Sequence, residues 1–199
     1  MAIIFGSDLP LDIDFSIYAK DSMSLMDDAH GNKSLYYDDD PASPFYITLS
    51  YVDEDVLVCR GIFVDESALQ GDTLAEVADA YTADAGVAFS ALEQSKDYME
   101  PELENEAVIN PGCIYIDRLF VSPKYRGQGI SKALLNNLPE IFLHKYSFNL
   151  RYACIIIRPD AQDDIPDEEM VRIMKKTIVQ NGFTDISDSK NAIYMKQYL

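Results

Sequence analysis

The sequence predicts an α/β fold of the mixed, α+β kind, and three observations carry that prediction. Two runs rich in β-branched and aromatic residues, FYITLSYV (45–52) and DVLVCRGIFV (55–64), are joined by Asp53-Glu54 and read as a hairpin. A strand, CIYIDRLFV (113–121), meets a proline, then two glycines, then a helical run, and leads on to a second strand, YACIIIR (152–158). A well-punctuated helix over 163–182 precedes a closing strand pair, FTDIS and AIYMKQYL.

The elements follow in order. LDIDFSIYA, near the N-terminus, alternates as a strand does, and YYDDDPASP reads as a loop from its acidic run and two prolines. After the hairpin, Thr73 and Glu76 have the spacing of a capping box, and Leu74, Val77, Ala78 and Tyr81 recur at helical spacing. One long alanine-rich helix or a helix pair is expected there, with Gly86 as a point of interruption. MEPELENEAVINPG is expected to be an acidic loop. Ser122-Pro123 should end the strand that begins at Cys113, because proline cannot donate to a ladder. A helix should start near Ile130 and kink or restart at Pro139. YACIIIR is apolar almost throughout, as a strand covered on both faces would be. The helix after it opens on a proline and acidic residues and closes on Asn181-Gly182.

Composition limits function. The 199 residues carry a net charge of −18, unevenly spread. Residues 1–112 hold 24 acidic and 4 basic side chains, a net of −20, whereas residues 113–199 hold 10 and 12, a net of +2. An acidic surface for solubility accounts for this. So does a division in which the C-terminal part holds an anionic cofactor and the acidic part attracts a cationic substrate. A third reading is an acidic imitator of nucleic acid. Binding to nucleic acid itself is disfavoured by the sign of the charge. No apolar run is long enough to span a membrane, and the N-terminus lacks the features of a secretory signal. Three scattered cysteines, Cys59, Cys113 and Cys154, suit a reduced, cytoplasmic protein with buried thiols. With His30 and His144 the only histidines, no metal site is expected.

PKYRGQGISKALL (123–135) carries the chemistry. Glycines let the backbone approach a ligand closely, and a helix start offers unpaired N–H groups and partial positive charge, so the turn is suited to a phosphate. It is not a Walker loop, which needs G-x-x-x-x-G-K-[ST], nor a dinucleotide fingerprint, since Lys132 stands where the third glycine belongs. Arg126-Gly127-Gln128-Gly129-Ile130-Ser131 resembles the R/Q-x-x-G-x-G/A signature of the GNAT superfamily of N-acetyltransferases. Leu119 to Pro123 resembles the strand before that loop, and Gly182-Phe183 the pair after the family's last helix. The resemblance covers 113–199 well, 45–64 less fully and 1–44 poorly.

The resemblance implies a single domain over 1–199 with a mostly antiparallel central sheet flanked by helices. Residues 65–112 would be a helical insertion between the third and fourth strands, and 113–199 the part that binds acetyl-CoA. Main-chain N–H groups from Gly127, Gln128, Gly129, Ile130 and Ser131, with Arg126, would hold the pyrophosphate. The main chain of Leu119, Phe120 and Val121 would pair with the pantetheine arm, this strand splaying from 152–158 to admit it. Ser131 departs from the usual Gly/Ala yet is small. Lys124 and Lys132 either screen phosphates or are solvated surface lysines.

Acetyl transfer needs an uncharged amine, a base to make it, a donor for the thioester oxygen and a proton for the thiolate. Strict alternation would place Tyr115, Asp117, Leu119 and Val121 on one strand face and Ile114, Ile116, Arg118 and Phe120 on the other. Tyr115 stands where some family members carry a catalytic glutamate. Asp117 is the preferred base or amine anchor, its other reading being a salt bridge to a neighbouring strand. Counting back from Gly182 puts Ile178 where the family often has the tyrosine that protonates the thiolate, so the usual general acid is missing. Tyr115, Tyr194 or water would replace it. His144 is expected to be a surface or core residue, and Cys154 inert packing. The acceptor is expected to be an amine of a cationic small molecule, peptide or protein, and the inserted helix to form part of its wall or a homodimer contact. A catalytically weak module that binds acetyl-CoA or a partner protein is the alternative.

Overall fold

The computed structural model describes residues 12–17, 25–27, 33–35, 40–98, 110–158, 167–187 and 191–198. Nine strands and four α-helices fall in them: β1 (Asp12–Ile17), β2 (Leu25–Asp27), β3 (Lys33–Leu35), β4 (Ala42–Tyr51), β5 (Glu54–Asp65), α1 (Leu74–Asp79), α2 (Ala83–Glu93), β6 (Pro111–Val121), α3 (Ile130–Tyr146), β7 (Asn149–Ile156), α4 (Asp167–Gln180), β8 (Thr184–Asp185) and β9 (Ile193–Gln197). One seven-stranded sheet has the order β1-β4-β5-β6-β7-β9-β8, and β2 and β3 pair separately. Every neighbouring pair in the large sheet is antiparallel except β6 and β7. This is the mixed, mostly antiparallel sheet flanked by helices that the sequence predicts.

The expected hairpin is β4–β5, but its turn is Val52-Asp53, one residue earlier than the expected Asp53-Glu54 link, because Glu54 already pairs with Tyr51; both turn residues have the positive φ that a two-residue hairpin turn requires. β4 starts earlier than the sequence suggests, so part of the expected PASP loop is strand. Among the described residues β1 pairs no farther than Phe45, so no described strand flanks Pro44 on that side and its missing N–H is tolerated. The capping box forms at Thr73 and Glu76 and starts α1. The helical segment is a pair, but Gly86 does not break it. Thr82 caps α2, and Gly86 lies inside it, where a Cβ would come within 2.8 Å of Asp79. Of the acidic stretch after Tyr98, 99–109 lies outside the described residues.

Both faces of the sheet are covered. On one, Phe142 of α3 stacks on Phe63 with ring centroids 5.3 Å apart and meets Phe45 edge-on, beside Leu134, Leu138 and Ile178. On the other, Leu74, Phe89 and Leu92 of α1 and α2 pack on Ile62, Cys113, Tyr152 and Cys154. Fully burying each such side chain is worth about 1.5–3 kcal/mol, so the segment between β5 and β6 completes the core. All three cysteines are free and buried, and burial pushes the Cys59 thiol up to about 12.

The helix does not restart at Pro139: α3 runs unbroken from Ile130 to Tyr146. The N–H that proline lacks would have reached the Leu135 carbonyl four residues back. The Tyr198 hydroxyl, arriving from beyond β9, donates to that carbonyl at 2.8 Å instead.

Strict alternation along β6 also fails. Arg60 pairs with Arg118, but Gly61 pairs with Ile116, so Asp117 is an extra residue, a β-bulge. Beyond it Leu119 and Val121 pack on the face of Ile114 and Ile116, with α3, rather than on the face of Tyr115. Gly61 stands opposite the bulge because a Cβ there would collide with the Tyr115 carbonyl and lie 2.9 Å from the Phe45 ring.

Candidate active site

The one parallel pair in the sheet comes apart. β6 and β7 are in register from Pro111↔Asn149 to Ile116↔Ile155, and past that point β6 continues to Val121 paired with β5 alone. A cleft of about 740 Å³ opens where they separate. Its β6 side carries Leu119, Phe120 and Val121, its β7 side Ile155 and Ile156, and α4 contributes Met170, Ile173, Met174, Thr177 and Ile178.

One end of the cleft is the glycine turn. Pro123–Tyr125 make a short 3-10 turn, tied to the β4–β5 hairpin because Lys124 at 2.7 Å and the Tyr125 hydroxyl at 3.0 Å both donate to Glu54. Those contacts hold the Glu54 carboxyl below the usual carboxylate range. Lys124 is therefore a brace for the turn, and Lys132 is exposed outside the cleft lining. Gly127 and Gly129 both have φ of 77°, a conformation that favours glycine, and an added Cβ at either would meet nothing within 4 Å. Gly129 is the N-cap of α3. The first intrahelical bond there runs from the Ala133 N–H to the Gly129 carbonyl. Among the described residues, the N–H groups of Gly127 to Lys132 donate to no backbone or side-chain acceptor in the chain. Among the described residues, nothing plugs the helix mouth or satisfies it internally. Gly127, Gly129, Ile130 and Ser131 line the cleft; the Gln128 side chain is exposed outside it. Arg126 folds back, donating from Nε to the Val121 carbonyl at 3.0 Å with its guanidinium 5.7 Å from the Phe120 ring centroid.

The other end is polar. Tyr115 is buried, and burial with the nearby Asp84 and Asp117 raises its pKa, so the hydroxyl keeps its proton. Asp117 is half-exposed in the bulge, and Arg60 donates to it from Nε at 3.1 Å. The strand-to-strand salt bridge is thus formed, and it is formed at the cleft. Asp84, on the first turn of α2, accepts from Arg158 at 2.6 Å. Sequence reasoning did not find Asp84, Arg60, Arg118 or Arg158. The signal at Asp84 was that of a helix start following Thr82, and nothing local says that α2 packs with that end at the mouth of the cleft. Tyr194 lies outside the lining, beside Asp185, and its pKa is raised chiefly by burial. His144 is on the surface, 3.6 Å from Glu140. Cys154 is wholly buried.

A splayed parallel pair with a glycine turn at its end is the arrangement that the resemblance to the GNAT superfamily implies. The model of the acetyltransferase (GNAT) family matches residues 86–154, from α2 through β6, the turn and α3 into β7. Solved structures are similar to this chain at low identity. A polyamine N-acetyltransferase of Drosophila melanogaster matches with 12% identity and a TM-score of 0.44, over 77% of this chain and 74% of that one. Arabidopsis thaliana NAA60 in complex with acetyl-CoA matches with 12% identity and a TM-score of 0.39, over 77% and 76%. A GNAT family acetyltransferase of Listeria monocytogenes matches with 10% identity and a TM-score of 0.39; the match covers 77% of this chain but only 64% of that one. A search of curated proteins finds no match.

Proposed function

We propose that this chain is an acetyl-CoA-dependent N-acetyltransferase that transfers an acetyl group to an amine of a small molecule, peptide or protein. The observation that carries the reading is the row of unsatisfied N–H groups from Gly127 to Lys132 at the end of a cleft between separated parallel strands. Those donors and the helix N-terminus suit a diphosphate. The apolar walls from β6, β7 and α4 suit an extended arm, and the edge of β6 at Leu119 and Phe120, beside which no described strand pairs, offers it main-chain partners. Acetyl-CoA supplies an acyl thioester.

The chain's own residues then have roles at the polar end. The incoming amine arrives as an ammonium. Asp117 or Asp84 anchors it and accepts its proton, directly or through water. The nitrogen bonds to the acyl carbon as the carbon–sulfur bond breaks, and the departing thiolate takes a proton. Tyr115, its pKa raised by burial, keeps its proton and is unsuited to be a base. In this reading it donates a hydrogen bond to the thioester oxygen or the thiolate. Calorimetry with acetyl-CoA, followed by a free-thiol assay over a panel of amines, tests the reading; absence of heat and of thermal shift removes it.

A second reading, a catalytically weak module that binds acetyl-CoA or a partner protein, is favoured by one observation. Ile178, apolar and buried, lines the cleft at the position that counting from Gly182 assigns to the family's usual tyrosine. Binding without turnover on any amine is the outcome that selects it.

A further inference from the structure

The chain is strongly acidic, yet among the described residues the charged lining of the cleft is Arg60, Arg118, Arg126, Arg158, Asp84 and Asp117. Arg126 belongs to the glycine turn and Arg118 lies against the Phe120 ring, so the described acceptor end is set by two aspartates, each with its own arginine. The two aspartates are not bare: each has a guanidinium against it, Arg60 on Asp117 at 3.1 Å and Arg158 on Asp84 at 2.6 Å. These pairs come from β5, the β6 bulge, the first turn of α2 and the segment just past β7, and they line the same cleft as Tyr115.

That arrangement discriminates among amines. A carboxylate with an arginine in contact attracts a lone ammonium weakly, because the guanidinium cancels most of its field at the ligand's distance. A polycation gains little more from these pairs, since its further charges meet the guanidinium groups of Arg60 and Arg158. A ligand that brings both signs does better. Its ammonium takes the free side of an aspartate, and its carboxylate takes the free side of a guanidinium, giving an alternating set of four charges. The guanidinium has five donors in a planar fork suited to a carboxylate. The side chains of Arg158 and Arg60 are 57% and 44% exposed, so both have donors within a ligand's reach.

We propose that the acceptor is zwitterionic: an amine that carries a carboxylate or comparable anion close to its nitrogen, recognised by the Asp84–Arg158 and Asp117–Arg60 pairs, with Arg158 as the selecting residue. The proposal rests on the acetyltransferase reading of the same cleft, and the experiment separates the two.

Protein saturated with CoA is titrated by calorimetry with matched triplets: an amino acid, its primary amide and its decarboxylated amine. L-leucine, L-leucinamide and isopentylamine form one set, and β- and γ-amino acids with their amides and amines form two more. In at least one set the carboxylate member should bind about tenfold or more tightly than its amide and decarboxylated partners. Arg158→Gln should remove that margin while leaving the urea midpoint, and so the fold, in place. Asp84→Asn should weaken every amine-bearing member of the favoured set. No heat from CoA itself overturns the acetyltransferase reading. Heat from CoA, with amides or simple amines bound as well as or better than the carboxylates, or with no carboxylate member bound at all, overturns this proposal alone. So does a carboxylate preference that survives Arg158→Gln.

Discussion

Replacing Gly129 with alanine tests the phosphate seat with the least disturbance. Gly129 sits at φ 77° and ψ 9°, the left-handed region, and caps α3. An L-residue there costs about 1–2 kcal/mol, and no clash adds to it because nothing lies within 4 Å of the new Cβ. The variant should therefore fold, with its urea-derived stability lower by about 1–2 kcal/mol. The chain can relieve that strain only by rotating the 127–131 backbone, which re-aims the N–H groups that open into the cleft. A hydrogen bond to a charged group is worth about 1.5–3 kcal/mol, so one bond lost predicts about tenfold to a hundredfold weaker CoA binding by calorimetry. The reasoning is refuted if stability falls by the expected amount and CoA affinity does not change. The diphosphate would then sit elsewhere, and the open amides at the mouth of α3 would serve solvent.

Four further outcomes follow from contacts in the structure. Asp117→Asn should lower turnover with amine acceptors by about a hundredfold or more, the low end of what a positioned base contributes, and change CoA affinity little; full activity in a thiol-release assay would clear Asp117 of a role. Gly61→Ala should destabilise the fold by about 3 kcal/mol, because its Cβ meets the Tyr115 carbonyl and the Phe45 ring; a near-normal urea midpoint would mean that β6 can shed its bulge. Tyr198→Phe should cost about 1–3 kcal/mol by leaving the Leu135 carbonyl without a partner, and much less in a Pro139→Ala background, where the helix N–H is restored; equal costs in both would break the pairing of the two residues. Arg151→Leu removes the guanidinium that contacts the buried Glu66 at 2.8 Å and should cost about 3–5 kcal/mol at neutral pH. Burial holds the Glu66 carboxyl above its ordinary value while Arg151 opposes the shift. The native state thus keeps this proton more readily than the unfolded chain, and the variant's deficit should shrink as the pH falls toward the acid range and Glu66 becomes neutral. A deficit that grows on acidification would reverse the assignment.

Elements announced by local chemistry were legible in the sequence. The β4–β5 hairpin, the capping box of α1, the glycine turn and the start of α3 each depend on residues within a few positions of one another, and each stands where it was expected, the hairpin turn one residue earlier. The misreadings share a different cause. Pro139 signals a break, and the group that removes the need for one, the Tyr198 hydroxyl, lies 59 positions along the chain. Gly86 looks like an interruption until α1 packs against it. The faces of β6 were misassigned because a bulge is a mismatch between two strands, and period-two counting along one strand cannot see it. The polar end of the cleft shows the same limit. Asp84, Arg60 and Arg158 carry no motif, and they become neighbours only through the packing of α2, β5 and β7.

Gly61 and Asp117 link these observations to the site. With no Cβ at 61, β5 can approach the Tyr115 carbonyl closely, and β6 gains its extra residue there. The bulge follows directly after Ile116, the last residue of β6 that pairs with β7. A bulged strand bends and twists more strongly, so the point where β6 changes course is the point where the parallel pair ends and the cleft begins. The same irregularity turns Leu119 and Val121 toward α3 and leaves Asp117 at the cleft within reach of Arg60. A sheet in perfect register would keep β6 and β7 paired beyond Ile116 and leave the glycine turn without an opening to serve. On this argument Gly61→Ala and Gly129→Ala fail differently. Gly129→Ala keeps the cleft and loses the phosphate seat. Gly61→Ala, where it folds at all, closes the cleft and weakens the binding of CoA and acceptor together.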